Sequence, residues 1–283
     1  MKNSKTYKNT PESPIKHPLK MLKDMFADLR MSSFLAWRLI VRDLSAQYRQ
    51  TMFGYLWAIF PPLVTTLLFI FLNKSQIIRV PEAGMPYPVY VITGTVFWQL
   101  FIDSINAPLN QVHGNTAMLT KINFPKEALI ISGVIQVLFS FAIKLILLIL
   151  VIFYFEVPIK LTVFFIIIPI LGLLGIGTLF GTLLVPLGVL YKDIQQGLNI
   201  IMGPLMFLAP VVYPIPAQEL LSAIMKYNPI TPLILAAREF ILNGCAVSWS
   251  SLIIVIIFTS VFLFIGWILY RMVLPLLVER MEA

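Results

Sequence analysis

The sequence predicts an all-α protein that crosses a membrane several times, and three observations support this fold class. Hydrophobic residues make up 59% of the 283 residues and charged residues only 12%. The mean hydropathy is +0.88, whereas an ordinary soluble domain is about 45–50% apolar and about 25% charged. Apolar segments of about 20 residues, long enough to cross the ~30 Å hydrocarbon layer as helices, recur along the chain. We therefore expect a polytopic membrane protein.

Length and hydropathy predict six transmembrane helices in a single domain, residues 53–283. An even number of spans places both termini on one side of the membrane. The cytoplasmic side is favoured because fifteen of the 21 Lys and Arg residues then lie there and five lie outside. The margin is eight against five when the seven basic residues up to Arg30, which are far from the first span, are left out. The predicted spans are about 53–73, 88–107, 128–154, 161–190, 197–213 and 250–271.

The region before the first span divides into a tail and an amphipathic helix. Residues 1–32 lack the apolar stretch of a secretion signal and are predicted to be a basic cytoplasmic tail. Over residues 33–52, Arg38, Arg42 and Arg49 form a stripe beside an apolar face. This pattern is typical of a helix lying in the cytoplasmic membrane interface, and packing on a soluble partner is the alternative. The apolar face consists of Trp37, Ile40, Val41, Leu44 and Tyr48.

Several glycines and prolines predict irregular helices. Gly54 suits the turn at which the chain enters the bilayer, and Pro61 and Pro62 lie deep enough to kink the first span. In span five, Pro204 and Pro210 predict a broken helix, which often borders a translocation path. In span four, a glycine pair at four-residue spacing predicts close helix packing.

Residues 217–243 predict a re-entrant helical hairpin between spans five and six. Two apolar pieces of about ten residues flank residues 228–232, and each piece is too short to cross the bilayer. Thr231 suits the N-cap of the second piece and Gly244 suits its end. Non-helical backbone at such depth requires cover from protein or a watery cavity.

Reactive side chains are sparse in the predicted spans. The two histidines lie in the tail and in a loop, so no metal cluster or histidine-based nucleophile is expected there. Cys245 is the single cysteine and cannot form an internal disulfide. Lys144 is the one charge inside a span, with Asp103 and Glu156 near span ends. Because no acid lies at an obviously matching depth, snorkelling or a structural ion pair is favoured for Lys144 over a transport role.

The sequence has no G-x-x-x-x-G-K-[ST] phosphate-binding loop, so a separate subunit would have to supply any ATP-driven work. The loop 113–127, which joins spans two and three, is the candidate contact with such a subunit. Phe124-Pro125 is expected to end one helix and to let the next begin at Lys126-Glu127. Its apolar side chains would dock in a pocket while its lysines meet acidic or phosphate groups, and an ordinary cytoplasmic loop is the alternative. The candidate coupling residues are Asn115, Met118, Leu119, Lys121, Phe124, Pro125 and Lys126.

Six short motifs occur in a fixed order along residues 35–275. They are Arg42-Asp43 through Tyr48-Arg49-Gln50-Thr51 with Gly54 and Trp57; Asn115 through Leu119 with Lys121; Phe124-Pro125-Lys126-Glu127; Tyr191-Lys192-Asp193-Ile194; Pro210-Val211-Val212-Tyr213-Pro214; and Tyr227-Asn228-Pro229. This set resembles the membrane subunit of bacterial ATP-binding-cassette exporters for cell-surface polysaccharides such as O-antigens, capsules and teichoic acids. The chain departs from that family at Lys192, where the family often has Arg, and in its longer tail.

The resemblance implies a homodimer of six-helix subunits in the bacterial inner membrane. Each subunit would dock on one of two copies of an ATPase subunit that binds ATP and Mg, and this chain would bind no cofactor itself. Nucleic-acid binding is not expected either, because an excess of Lys and Arg in a membrane protein is first a topology signal. The 217–243 hairpin would gate the outer side. A lipid-linked polysaccharide, with O-antigen as the first candidate, would enter with its pyrophosphate near Arg38, Arg42 and Arg49. The sugars would then slide past the aromatic rings of Phe53, Tyr55, Trp57, Phe97, Trp98, Phe101 and Tyr213.

Two other functions remain open from the sequence. An ATP-driven exporter of a drug or a small lipid would share the same architecture. A membrane-embedded transferase acting on lipid-linked sugars would need titratable groups facing one leaflet, whereas Asp103, Glu156 and Asp193 are scattered over both sides.

Overall fold

The computed structural model describes residues 18–49, 51–78, 84–122, 124–191, 193–242 and 248–282, and every regular element in these ranges is a helix. Short 3-10 helices cover Gly54–Ala58, Leu161–Ile166 and Met206–Leu208. The α-helices are α1 (Pro18–Arg49), α2 (Phe60–Lys74), α3 (Tyr87–Gly114), α4 (Thr116–Lys121), α5 (Glu127–Tyr154), α6 (Ile167–Leu190), α7 (Asp193–Leu205), α8 (Glu219–Tyr227), α9 (Ile230–Leu242) and α10 (Trp249–Glu282).

Four of the described helices are long and apolar enough to cross a membrane, namely α3, α5, α6 with its 3-10 start, and α10. The α8–α9 pair, bent by 84°, would count as a fifth span if it crosses as one unit. By contrast, α2 has 15 residues and α7 has 13, which is about 22 Å and about 20 Å of helix. The all-helical membrane fold is therefore confirmed, while helix length alone yields four or five spans in the described residues and not six.

The most enclosed helix is α3. In its most apolar window 78% of the residues are buried inside the chain, against 17% for α10. Glycines in α6 allow this enclosure, because a Cβ on Gly177 would overlap Ser104 and a Cβ on Gly181 would overlap the carbonyl oxygen of Ile105. The glycine pair predicted to permit close packing therefore holds α6 directly against α3.

The amphipathic helix is longer than predicted. It begins at Pro18, inside the segment expected to be a tail, and runs to Arg49. Its buried side consists of Ala36, Leu39 and Ile40, whereas Trp37 and Val41 of the predicted apolar face are exposed. The helix therefore packs on the bundle with one edge and leaves a second apolar edge uncovered within this chain.

The chain enters the bundle through a turn and not through a kinked helix. Gly54 has a φ of +51°, a conformation that glycine adopts without strain, and the 3-10 helix begins there. The predicted kink at Pro61 and Pro62 is wrong, because α2 begins at Phe60 and both prolines lie in its first turn. Proline is tolerated at that position since the first-turn N–H groups have no helical partner in any case.

The predicted breaks near α7 and α9 are present, with one change of capping residue. The α7 helix ends at Leu205 and continues as a 3-10 turn, so this region is a broken helix as expected. The Asn228 side chain accepts a hydrogen bond from the Ile230 backbone N–H at 3.0 Å and donates one to the Leu208 carbonyl at 3.0 Å. Asn228 therefore caps α9 in place of Thr231. Gly244, predicted to end this helix, lies outside the described residues.

The non-helical segment after α7 is held by Arg238, which is one of the five Lys and Arg residues that the predicted topology places outside the membrane. The side chain is buried, with 3% exposure. Its guanidinium donates to the carbonyl oxygens of Pro210, of Val211 at 2.6 Å and of Tyr90 at 3.1 Å, and it lies 3.5 Å from the centre of the Tyr90 ring. Buried carbonyl groups outside a helix need such donors. Arg238 therefore fixes the broken segment against the first turn of α3.

Gly94→Ala is expected to lower the stability of this packing by about 1–3 kcal/mol, as is usual for overpacked sites. The added methyl group would overlap the Val211 carbonyl oxygen and the Arg238 guanidinium. Gly203→Ala in α7 is the matched control, because its Cβ would meet nothing within 4 Å. Thermal unfolding in detergent should show a lower midpoint for Gly94→Ala alone, and equal midpoints for the two variants would contradict this packing.

Candidate functional site

One face of α3 is open and polar. Between Val89 and Val112 every α3 residue is buried except five. These five are spaced so that they lie on one side of the helix. Four of them are polar, whereas the side of a helix that faces lipid is apolar. The open positions are Gln99, Ile102, Asp103, Asn106 and Asn110.

On one side of this polar face lies α5. Lys144, with only 3% of its side chain exposed, forms an ion pair with Asp103, whose side chain is 26% exposed. The Gln99 amide donates to the other oxygen of Asp103 at 2.8 Å. This corrects the expectation that no acid matches the depth of Lys144. The predicted second span ended at residue 107, whereas α3 continues to Gly114 and so places Asp103 well inside the helix.

On the other side of the polar face lies α7. Asn106 donates to the side-chain oxygen of Asn199 at 3.0 Å, and Gln195 donates to the side-chain oxygen of Asn110. The side-chain oxygen of Asn106 is buried and has no hydrogen-bond partner among the described residues. The face therefore forms a continuous polar strip between α5 and α7 that retains an unused acceptor. The sequence does contain the pattern of this strip, as amides and a carboxylate at helical spacing. The pattern is hidden when hydropathy is averaged over a whole span.

A cavity of about 470 Å³ lies beside this strip, between α3, α6, α7 and the α8–α9 break. Trp98 and Phe101 line it, with ring centres 5.4 Å apart, and Tyr227 lies at its edge. Its volume falls within the range of small-ligand sites, about 300–1,000 Å³. Two of the predicted channel aromatics therefore border one open space, which we call the aromatic cavity.

The other predicted channel aromatics lie elsewhere. Phe97 is fully buried and packs edge-on against Phe141, so it reaches no open surface of the chain in this conformation. The Tyr213 ring stacks on Phe207 beyond the end of α7. At the start of α2, half-exposed rings form a separate group around Phe60. That group contains the predicted residues Phe53 and Trp57, whereas the Tyr55 ring packs edge-on against Phe139 of α5.

The 113–127 segment contains α4 and has both buried and exposed positions. Leu119 is buried, and Met118 and Phe124 are half-buried in a cluster with residues of α1, α3, α5, α6 and α10. Lys121 is exposed, as is Ile122, which was not among the predicted contacts. We call this region, where α1, α4 and the end of α10 meet, the α1 end of the bundle. The helix end predicted before Pro125 is confirmed, since α5 begins at Glu127.

A hydrogen-bond network joins α4 to α1. Asn115 is 3% exposed, and its side-chain oxygen accepts a hydrogen bond from Arg42 at 2.6 Å. Arg42 also pairs with Asp43, whose other oxygen accepts from Gln111 at 3.1 Å and from Gln136 at 2.9 Å. The sequence motifs around residues 42 and 115 therefore meet in space, and α1, α3 and α5 are connected at the base of α4.

Arg38 makes fewer contacts than Arg42, and an ion-pair bridge at Arg271 was not predicted from the sequence. The Arg38 guanidinium lies 5.1 Å from the centre of the Phe34 ring, and the side chain of Arg49 lies outside the described residues. Arg271 bridges Glu127 at 2.8 Å and Asp28 at 2.6 Å. This bridge fixes the first turn of α5, next to Lys126 and Pro125, but its members are far apart in the sequence and carried no local signal.

A helical membrane bundle with a polar strip on its central helix and a short, partly exposed helix at one end has the features of a transporter's membrane subunit. The chain matches the family described as ABC-2 type transporter over residues 35–242, well over half of its length, and it belongs to that family. Membrane subunits of this family are not the ATPase; a separate ATP-binding subunit accompanies them.

Curated relatives are similar over most of their length. The O-antigen export system permease protein RfbA of Klebsiella pneumoniae is 27% identical over 213 residues, 72% of this chain and 78% of the relative. The polysialic acid transport protein KpsM of Escherichia coli is 25% identical over 242 residues, 82% of this chain and 91% of the relative. The RfbA protein of Myxococcus xanthus is 27% identical over 202 residues, covering 69% of this chain and 75% of the relative.

The Arg42–Asn115 contact is expected to contribute about 1 kcal/mol of coupling, the scale of a charge-assisted hydrogen bond reduced by partial exposure. A double-mutant cycle with Arg42→Met, Asn115→Ala and the double variant would measure it through thermal unfolding in detergent. Arg38→Met is the control, since the structure gives Arg38 a ring contact within α1 and no contact with α4. Additive effects of Arg42→Met and Asn115→Ala would refute the coupling.

Proposed function

We propose that this chain is the transmembrane subunit of an ATP-driven exporter that moves a lipid-linked polysaccharide, with O-antigen as the first candidate, across the bacterial inner membrane. The observation that carries the proposal is the polar strip on α3. An apolar chain that leaves amides and a carboxylate open on its most enclosed helix needs water, another subunit or a polar cargo against them, because lipid cannot satisfy these groups. The names of the relatives, O-antigen export and polysialic acid transport, support a glycan cargo.

The strip and the aromatic cavity suit a sugar polymer. Amide and carboxylate groups exchange hydrogen bonds with hydroxyl groups. The rings of Trp98 and Phe101 border the cavity but are only 4% exposed, so the cavity would have to widen before sugars could stack on them. Two copies of the chain, related by a two-fold axis, would enclose such a path between them. Phe53, Tyr55, Trp57 and Tyr213 remain predictions for the rest of the path, and Phe97 would require movement of α5 to reach it.

Six spans per subunit remain our proposal. The 3-10 helix at Gly54 and α2 together run from residue 54 to residue 74, about 30 Å of helical rise, which is enough to cross the hydrocarbon layer. The broken α7 would supply a second irregular span. Because α8 has only 9 residues and meets α9 at 84°, we assign this pair to a re-entrant hairpin at the outer side.

The α1 end of the bundle is the proposed cytoplasmic side, with both chain termini there. Its described basic residues include Arg38, Arg42, Lys121 and Arg271, in keeping with the positive-inside rule. The exposed surface of α4 would contact the ATPase subunit, one copy for each of the two membrane subunits, and ATP with Mg would bind on that partner. Arg38, Arg42 and Arg49 would meet the pyrophosphate of the lipid carrier.

A deletion strain tests the cargo directly. Loss of this chain should leave undecaprenyl-linked polymer accumulated inside the cell, because synthesis continues while export stops. Accumulation of a drug or a small lipid without any polymer would favour the alternative exporter, and sugar transfer catalysed by the purified chain would favour a transferase.

Lys121→Glu/Ile122→Ser is expected to reduce co-purification of the ATPase subunit about tenfold, because truncating central contacts of an interface typically costs this much or more. Both positions are exposed, so the membrane bundle should still fold. Lys74→Glu/Ile77→Ser makes the same chemical changes at two exposed positions, the last residue of α2 and the turn that follows it, and serves as the control. The proposed docking surface is wrong if both double variants retain the ATPase equally.

Asn106→Leu/Asn110→Leu is expected to slow polymer export about fivefold to tenfold by removing polar partners from the strip. Asn106→Gln/Asn110→Gln keeps amides at both positions and is expected to retain most of the activity. Surface polymer on intact cells measures export, and co-purified ATPase shows that assembly is intact. Equal export by the two variants would mean that the strip does not line the path.

A further inference from the structure

We propose that the path through this subunit favours glycans whose repeating units carry no acidic group, and that the Asp103 carboxylate sets this preference. The inference deepens the proposed function and rests on it. It concerns the chemical class of the cargo, which the relatives leave open because their names cover both O-antigen and polysialic acid.

The charged group that is exposed at the polar strip is the carboxylate of Asp103, which is negative. In the Asp103–Lys144 pair, 26% of the Asp103 side chain is exposed and 3% of the Lys144 side chain is. The ammonium group therefore lies behind the carboxylate, buried between α3 and α5, while the carboxylate faces the open side of α3. Gln99, which donates to Asp103, adds no charge.

The other described groups around the middle of the strip are neutral. Its neighbours on α3 and α7 are amides, and the aromatic cavity is lined by apolar and aromatic side chains with one further amide, Asn228. Arg238 is buried and its guanidinium is directed at backbone carbonyl groups. Asp193, in the first turn of α7, is a second exposed acid toward the end of the strip. Among the described residues, no exposed cation faces the strip near Asp103.

A carboxylate at this place discriminates by charge. A neutral sugar can donate its hydroxyl groups to Asp103 in charge-assisted hydrogen bonds. A uronic or sialic acid polymer instead brings one carboxylate per repeat past Asp103. The Lys144 ammonium offsets part of the repulsion between the two carboxylates, but it lies behind Asp103 and farther from the cargo, so the net interaction is repulsive. The repulsion recurs with every repeat, so it would slow the whole polymer. In the proposed homodimer the symmetric copy would double it.

The experiment begins with the lipid-linked polymer that accumulates in a strain lacking this chain. We expect repeats built from uncharged sugars, and a carboxylate in each repeat would overturn the inference while leaving the exporter function intact. The same polymer, labelled at its non-reducing end with a fluorophore, is then divided, and one half has its primary hydroxyl groups oxidised to carboxylates. This yields two probes matched in length and lipid carrier.

Proteoliposomes containing the chain and its ATPase are given each probe with ATP, and protection from a membrane-impermeant quencher measures entry. The unmodified polymer should enter about tenfold faster than the oxidised polymer. The double variant Asp103→Asn/Lys144→Met removes both charges together, so that no unpaired charge stays buried. In this variant the ratio of the two entry rates should fall to near one. Asp103→Glu keeps the charge and should keep the ratio.

The outcomes separate the two proposals. Equal entry of both probes with the native chain, or an unchanged ratio in Asp103→Asn/Lys144→Met, overturns the role of Asp103 and leaves the exporter function standing. Entry of neither probe overturns the proposed function and this inference with it. Amounts of folded protein and of bound ATPase, measured on every variant, show that a changed ratio reflects the path and not assembly.

Discussion

A polar group that this apolar chain removes from water is costly unless it finds a partner inside the protein, and the structure around α3 depends on that constraint. Where the backbone leaves the helix after α7, its carbonyl groups are bound by the buried Arg238. Where a charge is buried, as at Lys144, an acid is paired with it. Glycines at positions 94, 177 and 181 permit the close approach that these contacts need. The result is a central helix that is enclosed on every side but one.

The helix that carries this open side is joined directly to the helices at the α1 end of the bundle. The α4 helix follows α3 after a single residue, Asn115, so a force applied to α4 acts first on the helix that carries the polar strip. The network of Arg42, Asp43, Gln111 and Gln136 ties the same point to α1 and α5. In an ABC-2 transporter, where ATP is hydrolysed on another subunit, such a connection would transmit movement from the proposed docking surface to the proposed path.

The periphery of the bundle follows different rules from its centre. Only 17% of the most apolar window of α10 is buried, and its outward residues are large and apolar. Hydropathy therefore identifies α10 easily, whereas α3 has the lowest hydropathy of the four long spans and carries the polar strip. A helix that serves the path in a membrane protein is less hydrophobic than one that faces lipid, because its neighbours are protein and water.

The sequence by itself determined the membrane class, the turn at Gly54, the break near Pro210, the helix boundary at Pro125 and the ordered motifs, because each depends on composition or on local backbone preferences. Only the tertiary structure decided that Asp103 pairs with Lys144, that Arg238 is a buried donor and not an exposed charge, and that Asn115 binds Arg42. These partners lie 41, 28 and 73 residues apart. Their meeting depends on the register in which whole helices pack, which no local pattern encodes. The kink predicted at Pro61 and Pro62 is wrong for the same reason. The residue at which α2 begins is set by the packing of the preceding turn.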